Sequence, residues 1–312
     1  MRFAVYLPMI LPLSALPVAR LAVDHLHPRT ATRLLTGVAA VLALCSTWCV
    51  ALLVIVGSAQ VPGNPLPDGW GDPGVRDAVP HVRLFGSLAM VVLSVVVTAS
   101  AAMLLRDRRV RRRARAAIAA LPDAGGLVVI PDERPYAYAL PGREPRVVAT
   151  TAMLACLTRD ERRALIAHEH AHLAGRHHVF LTVSRLAAVS HPLLRPLRTA
   201  IAYTVERWAD EDAAAAVGDR TVTARAVGKA ALSAAKSGAP AASALPAFAA
   251  RGPVPRRVAA LLGPPPTSAW PAPASPTGFA AIVAAAGTTV SVCATANAAF
   301  ALFVILKAST AL

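Results

Sequence analysis

The residues with the clearest chemical potential in this 312-residue sequence form the run His168-Glu-His-Ala-His172. On a helix, side chains four residues apart lie one above the other, so the imidazoles of His168 and His172 can reach one metal ion. Glu169 projects beside them, where its carboxylate can accept a proton from water that the ion activates. This spacing predicts a catalytic zinc centre, and a chance match of surface histidines is the alternative interpretation.

A third protein ligand must lie elsewhere in the chain, and His178 is the first candidate. It would complete the spacing HExxHxxGxxH, a pattern that also requires a methionine turn beneath the metal. The last methionine of the chain, Met153, precedes the motif. The pattern therefore lacks a required part, and we expect Arg176-His-His178 to be a solvated or headgroup-facing end of a helix.

Glu206 is the second candidate, thirty-four residues after His172. On a helix Glu206 and Asp210 would share one face, because they are four residues apart. Asp210 could then accept a hydrogen bond from the far nitrogen of a ligand histidine and fix its tautomer. A plain acidic helix face is the alternative. We predict that His168, His172 and Glu206 bind one Zn²⁺ per chain, with Glu169 as the general base and Asp210 behind a histidine ligand.

Short strands and a capped helix are expected to position the motif. Leu127–Ile130 and Arg146–Thr150 have the composition of strands. Thr158-Arg-Asp-Glu161 has the form of a capping box, which predicts a helix through 162–174. The metal-binding histidines would then lie on a helix that begins about two turns before them.

The segment that joins the motif to Glu206 is apolar enough to resemble a membrane span. Charged residues and prolines nevertheless interrupt Val179–Tyr203, and a single crossing would leave Glu206 and His168 on opposite sides of the bilayer. We therefore predict a helix or hairpin packed on the domain or at the membrane interface. The Ala-rich stretch Ala213–Ala242 predicts helices that pack behind Glu206.

The composition excludes both a water-soluble body and a disordered chain. The mean hydropathy is +0.52 and only 16% of residues are charged, which leaves too little polar surface to cover a soluble protein of this size. Three uncharged apolar runs, 34–57, 84–105 and 279–306, are long enough to span a bilayer. A shorter run at about 3–23 contains prolines. We favour a retained helix there over a cleaved signal peptide.

The distribution of charge predicts the orientation in the membrane. Arg106–Arg115 contains seven arginines and one aspartate and directly follows an apolar run, which is typical of the cytoplasmic side of a span rather than of nucleic-acid binding. The loop from Ser58 to His81 is acidic by comparison. We predict that both chain termini are outside the cell and that residues 106 to about 278 are cytoplasmic. The high Arg and Ala content indicates a bacterial source.

The motifs in this order resemble the HtpX-like integral-membrane zinc peptidases, gluzincins that include the CAAX prenyl proteases. The resemblance covers about Leu127 to Leu262. It rests on Pro135–Gly142, which is similar to an edge strand on the substrate side, on Leu157–Glu161, on the HExxH motif, on Glu206-x-x-Ala-Asp210, and on Pro255–Leu262 at the end of the domain. Tyr136 stands where these peptidases usually have asparagine. The membrane layout is also similar to that of the BlaR-type membrane peptidases.

This resemblance implies a membrane-bound zinc metalloendopeptidase. It implies the same zinc ligands and the same catalytic glutamate as the spacing argument. The substrate would be a peptide or protein, in many cases membrane-associated, bound in extended form along Tyr136, Ala137, Tyr138 and Ala139. Tyr203, His191 and Arg198 are candidates for stabilising the oxyanion. The alternatives are a signalling protease that cleaves itself or a repressor, and a non-catalytic scaffold with a structural zinc.

The predicted fold is a mainly α integral membrane protein with about four transmembrane helices and a cytoplasmic α+β zincin-like metallopeptidase domain. The membrane region would cover 1–105, with spans at about 3–23, 34–57 and 84–105. The peptidase domain would cover 106–263. A Pro-rich connector at 264–278 would lead into a last transmembrane helix at 279–306. Expected partners are the substrate and the lipid bilayer, and no nucleic acid.

Overall fold

A computed structural model describes residues 5–59, 82–236, 253–267, 272 and 274–310. Most of the predicted outer loop at 58–81 lies outside these residues. So do residues 268–271 and 273 of the predicted connector, the first residues of the span at about 3–23, and the end of the Ala-rich stretch after residue 236.

The described part of the chain is mostly helical, with one small sheet. In chain order its elements are α1 (Leu7–Ile10), a 3₁₀ turn (Leu11–Ser14), α2 (Ala15–His25), α3 (Pro28–Ser58), α4 (Val82–Ile118), β1 (Asp123–Ala124), β2 (Leu127–Ile130), β3 (Ala137–Leu140), β4 (Arg146–Thr150), α5 (Thr151–Ala155), α6 (Arg159–Ala174), α7 (His177–Ser190), a 3₁₀ turn (Pro192–Leu194), α8 (Arg195–Val217), α9 (Arg220–Lys236), α10 (Val254–Leu262) and α11 (Pro276–Thr310).

Four helical stretches of the described residues are long and apolar enough to cross a membrane. They are Leu7–His25, Pro28–Ser58, Leu84–Ile118 and Ala281–Ala308. Leu84, Leu88 and Val95 on α4 are between 55% and 68% exposed, an arrangement that is unfavourable in water and favourable in hydrocarbon. These features agree with a membrane protein.

Helix α4 continues past the predicted end of its apolar run. The sequence predicts a span at 84–105, whereas the helix extends without a break through the basic stretch to Ile118. Val110, Ala114 and Ile118, each four residues after the last, pack against the sheet, so the arginines form the solvent face of an amphipathic helix. One helix therefore joins the membrane region to the sheet.

The four strands form a mixed sheet in the order β1-β2-β4-β3. Gly125 and Gly126 have φ of 66° and 90° and form the two-residue turn between β1 and β2, a conformation that favours glycine. Strand β4 pairs with β2 in parallel and with β3 antiparallel. Strand β3 is therefore at an edge, and among the described strands only β4 pairs with it.

The helices after the sheet pack against the membrane region through one hydrophobic core. Leu194 at the end of the 3₁₀ turn is fully buried, and so are Leu197 and Ile201 at the start of α8. All three belong to the same cluster as Leu35 and Leu42 of α3. The segment Val179–Tyr203 is helix, 3₁₀ turn and helix, as the charge pattern predicts. The core shared with α3 fixes the position of α8 relative to the apolar helices.

Candidate metal centre

The capping box predicted from the sequence opens α6. The Thr158 hydroxyl accepts a hydrogen bond from the Glu161 backbone N–H, and the Glu161 carboxylate accepts one from the Thr158 N–H at 2.9 Å. Lys229 donates to the same carboxylate at 2.8 Å and anchors α9 against α6. The start of the helix is thus fixed, and with it the direction of the side chains two and three turns later.

Helix α6 turns His168 and His172 into the protein, while His170 between them is exposed. The two Nε2 atoms are 3.1 Å apart. Glu206 on α8 faces both, with carboxylate oxygens 3.6 Å from each Nε2. The three side chains form a group whose ligand atoms all lie within 4.8 Å of one another. The structure therefore brings together the three ligands predicted from spacing.

This geometry fits a small divalent metal ion such as zinc. Two nitrogens bound to one tetrahedral zinc at about 2.0–2.1 Å are about 3.3 Å apart, close to the observed 3.1 Å between His168 and His172. Two imidazoles and one carboxylate leave a fourth position for water or substrate, as in catalytic rather than structural zinc sites. His168, His172 and Glu206 are all buried, although the chain contains few carboxylates.

A buried network of charge supports Glu206 and His168. Asp210 is fully buried, and its Oδ1 lies 3.2 Å from His168 Nδ1. Arg257 of α10 donates to both oxygens of Asp210, from Nε at 2.8 Å and from Nη2 at 2.6 Å. Its Nη1 lies 2.8 Å from Glu206. Asp210 is therefore positioned between a predicted ligand and a buried arginine.

Arg257 is a member of the site that the sequence does not single out. It lies in Pro255–Leu262, which the sequence marks only as the end of the domain. The available signal is electrostatic, because two buried carboxylates on one helix need a buried cation nearby. The sequence does not say which of the arginines after residue 250 supplies it.

Burial and the guanidinium act in opposite directions on the carboxylates. Burial alone would raise the pKa of Glu206, but Arg257 outweighs it and lowers the value to about 2. The pKa of Asp210 is lowered for the same reason. Burial tends to lower the pKa of His168, yet Asp210 and Glu206 raise it to about 10. Both carboxylates therefore favour the protonated ring of His168.

Glu169 has a different environment, although it is adjacent to a predicted ligand. Its carboxyl group is buried, and this burial raises its pKa to about 7, while nearby His168 acts to lower it. The backbone of Ala139 in β3 contributes a hydrogen bond that also lowers it. A carboxyl group with a pKa near neutrality can accept and return a proton within one reaction cycle.

A cleft of about 360 Å³ runs between β3 and α9 and has the metal-binding group at its base. Small side chains of α9 form the wall opposite the strand. Tyr136, Ala137 and Tyr138 line the cleft, whereas Ala139 is buried behind it. The other residues lining it are Met153, Ala164, Leu165, His168, Glu169, His172, Glu206, Thr223, Ala226, Val227, Ala230, Ala231, Ala234, Ala235, Val254 and Arg257.

The register of the sheet decides which backbone groups of β3 face this cleft. The Thr150 N–H donates to the Tyr136 carbonyl at 3.0 Å, so Tyr136 and Thr150 form a hydrogen-bonded pair. In an antiparallel ladder such pairs alternate with pairs whose N–H and C=O groups point away. The backbone groups of Ala137 and Ala139 therefore point away from β4, towards the free edge.

His177 corrects the sequence-based expectation for the stretch 176–178. It was expected at a solvated helix end, but the ring is 0% exposed. Its Nδ1 lies 2.9 Å from Nδ1 of His172, and burial, with His172 as the next cause, lowers its pKa to about 2. The chain reverses at Arg176, which has φ 49° and ψ 40°, and this turn directs His177 back towards α6. His178 is only partly buried and is not in the metal-binding group.

The candidates for oxyanion stabilisation lie outside the cleft. Tyr203 is covered by the guanidinium of Arg256, 4.7 Å from its ring centre. His191 has its Nε2 3.1 Å from the carbonyl of Met9, and Arg198 is exposed. None of these three is among the described residues that line the cleft, so this expectation from the sequence is wrong.

Residues 104–191 match the model of peptidase family M48. That family covers HtpX-like and CAAX-protease-like zinc metallopeptidases, in agreement with the resemblance of the motifs. The M48 match contains His168, Glu169 and His172 and ends before Glu206 and Asp210, so those two rest on the geometry. No curated protein and no solved structure matches the chain.

Proposed function

We propose that the protein is a membrane-embedded, zinc-dependent endopeptidase. The observation that carries the proposal is the buried group of His168, His172 and Glu206 at the base of a cleft, beside Glu169 and an unpaired strand edge. The M48 match over residues 104–191 supports a metallopeptidase independently of the geometry. A structural zinc site is normally closed by four protein ligands, whereas this group has three and opens into a cleft.

In this proposal one Zn²⁺ per chain is held by His168, His172 and Glu206. When bound, zinc supplies a Lewis acid that activates water and polarises the scissile carbonyl group. The Asp210 carboxylate lies 3.2 Å from His168 Nδ1, so it favours a hydrogen on that atom and leaves Nε2 free for ligation. Arg257 keeps Glu206 and Asp210 ionised, because its guanidinium lies within 2.8 Å of both.

Glu169 is the general base and then the general acid. As a carboxylate it accepts the proton from the attacking water, and it then donates that proton to the departing amine. Because Glu169 is buried, its neutral form is more favourable than the neutral form of an exposed glutamate. This raises its ability to take up the proton without removing its ability to return it at neutral pH.

The substrate binds in extended form along β3, by pairing of backbone groups. Ala137 is the residue on which this depends, since its backbone groups point to the free edge and its side chain lines the cleft. The rings of Tyr138 in β3 and of Tyr136, which directly precedes the strand, are stacked with their centres 6.2 Å apart. Recognition through the backbone makes the choice of side chains broad, which suits an enzyme acting on many proteins.

The orientation in the membrane and the limits of the peptidase domain are part of the proposal. The arginines on the outer face of α4 favour a cytoplasmic location for residues 106–263, with the termini outside. The core shared by α3 and α8 holds the cleft close to the bilayer. Membrane-associated proteins would therefore reach the cleft more readily than freely soluble ones.

The test compares wild type with Glu169→Gln, both purified as full chains in detergent. Zinc content and cleavage of casein and of the protein itself are measured for each. About one zinc per chain in both, with cleavage in wild type alone, supports the proposal. Glu169→Gln is a close structural match because only the proton-accepting group is lost.

The other outcomes separate the alternatives. Zinc in both proteins without cleavage in either would favour a signalling protease that needs a trigger, or a scaffold. His170→Gln is the control. This histidine of the motif is exposed, so its substitution should leave the zinc content unchanged. Wild type without zinc would refute the proposed function.

A further inference from the structure

His177 is the least exposed histidine of the described chain and is not part of the three-residue metal-binding group. Its ring is 0% exposed and lies 4.4 Å, centre to centre, from that of Trp208. Its Nδ1 meets Nδ1 of His172 at 2.9 Å. No partner for its Nε2 is found among the described residues. A buried polar group normally has a hydrogen-bond partner and a reason for being buried. The contact with His172 indicates that this reason involves the predicted metal ligand.

Two features of the backbone bring this ring into place. Arg176 has the single positive φ among the non-glycine residues that the structure describes, and such a conformation costs free energy unless its surroundings enforce it. Gly175 has φ of −75°, which any residue adopts. A Cβ at Gly175 would nevertheless lie 2.3 Å from His177 Nε2. The glycine is therefore required by the histidine ring and not by the turn.

The hydrogen bond between the two rings has only one direction that is compatible with metal binding. His172 can bind through Nε2 only if its hydrogen is on Nδ1. Nδ1 of His172 must then donate, and Nδ1 of His177 must accept. The hydrogen of His177 is consequently on Nε2, the atom that lies against Gly175.

We propose that His177 is a positioning residue that holds His172 in the tautomer and ring orientation needed to bind the metal. The inference rests on the proposed function, since it assigns a role towards the same zinc. The usual partner of a ligand histidine is a carboxylate, a backbone carbonyl or water. Here the partner is a neutral imidazole, itself held by Trp208 of α8, two residues after Glu206.

Trp208 extends this support to the membrane region. The guanidinium groups of Arg29 and Arg33, at the start of α3, lie 5.3 and 5.6 Å from the centre of its ring system. Phe180 of α7 lies 5.9 Å from it. The Trp208 ring of α8 is thus packed between α7 and the first turns of α3.

The test uses two substitutions of nearly equal size, His177→Asn and His177→Leu. The asparagine oxygen is the same number of bonds from the backbone as Nδ1 and can accept the hydrogen bond, whereas leucine cannot. Both lose the ring contact with Trp208 equally. Zinc dissociation constants are measured on the detergent-purified full chain by competition with a chromophoric chelator. We expect a 10- to 100-fold loss of zinc affinity for His177→Leu and a change of less than about threefold for His177→Asn.

A further variant and two further readouts keep a structural effect apart. His177→Phe retains an aromatic ring against Trp208 and should lose as much affinity as leucine. Thermal unfolding after removal of metal should be the same for the asparagine and leucine variants. The visible absorption of the Co²⁺-loaded protein should change for leucine and remain like wild type for asparagine.

If the asparagine and leucine variants bind zinc with the same affinity, the inference is overturned, whether or not that affinity is lower than in wild type. The proposed function would still stand. Absence of zinc binding by wild type would overturn both. A selective loss in the leucine and phenylalanine variants supports the role of the acceptor at Nδ1.

Discussion

The two histidines of the metal centre are supported by opposite kinds of chemistry. Behind His168 lie a carboxylate and a guanidinium, Asp210 and Arg257, both buried. Behind His172 lie a neutral imidazole and an indole, His177 and Trp208. Both arrangements fix a ligand tautomer. The charged arrangement is stable only when each buried charge has a partner of opposite sign. The neutral arrangement depends on how closely the rings fit together.

This difference predicts different failures. Removing one member of a charged network leaves the others ionised and unpaired in a medium that solvates them poorly. Altering the neutral side leaves no stranded charge, so the protein should remain folded and lose only the precision of the site.

The largest effect is expected for Arg257→Ala, which removes the guanidinium from two buried carboxylates, Glu206 and Asp210. We expect a loss of about 3–5 kcal/mol in the free energy of unfolding, measured by thermal or denaturant unfolding in detergent. Arg256→Ala is the matched control, because this neighbour pairs with Asp24 on the surface and is half exposed. It should cost about 1 kcal/mol or less. Equal losses for the two variants would mean that the charged side does not depend on pairing.

The second prediction concerns pH, in protein stripped of metal with a chelator. His172 and His177 have pKa values of about 4 and about 2, below the usual 6.5, because burial disfavours their charged forms. At these two histidines the unfolded chain therefore binds protons first as the pH falls below about 6.5, and their contribution to stability decreases. Glu206 and Asp210 have lowered pKa values through Arg257, so their contribution is lost only below about pH 4.

Between pH 6.5 and 5 each of these two histidines should cost roughly 2 kcal/mol. Glu169 and His168 act in the opposite direction over this range, because their pKa values are raised to about 7 and about 10 in the folded protein. His177→Leu removes one of the two destabilising histidines, so between pH 6.5 and 5 the variant should lose roughly 2 kcal/mol less than wild type. The loss below pH 4 should remain. Unfolding curves at pH 7, 6, 5 and 3.5 give the comparison, and an unchanged slope between pH 6.5 and 5 would count against a buried, neutral His177.

The smallest effect is expected for Gly175→Ala, which disturbs the neutral side by shape alone. The new Cβ would lie 2.3 Å from His177 Nε2, so the ring must move away from His172. We expect zinc affinity to fall about tenfold with little change in stability. Gly37→Ala is the control, since no atom lies within 4 Å of a Cβ built there. Unchanged affinity in Gly175→Ala would show that the ring position tolerates displacement.

The parts of the site that the sequence predicts are those determined by local rules. The capping box fixes the start of α6, and spacings of four residues place His168 with His172 and Glu206 with Asp210. These depend on helix geometry, which a sequence shows directly. The edge position of β3 also agrees with the expectation for Pro135–Gly142.

The parts that the sequence does not predict depend on contacts between distant segments. Arg257 follows a Pro- and Ala-rich stretch that gives no register, so its approach to Asp210 is visible only in three dimensions. His177 lies between Arg176 and His178, a polar context that is typical of an exposed helix end. Its burial results from one left-handed residue and from the space left by Gly175, and neither has a signal in the periodicity of the sequence.

Helix α4 gives the enzyme a measure of length. It leaves the predicted span near residue 105 and continues to Ile118, which packs under the sheet that carries β3. At about 1.5 Å per residue, residues 106–118 rise about 20 Å. Helix α4 thus connects the sheet rigidly to the apolar helices, while α8 is held by the core that it shares with α3. A tilt of α4 relative to α3 would therefore change the width of the cleft between β3 and the metal-binding group.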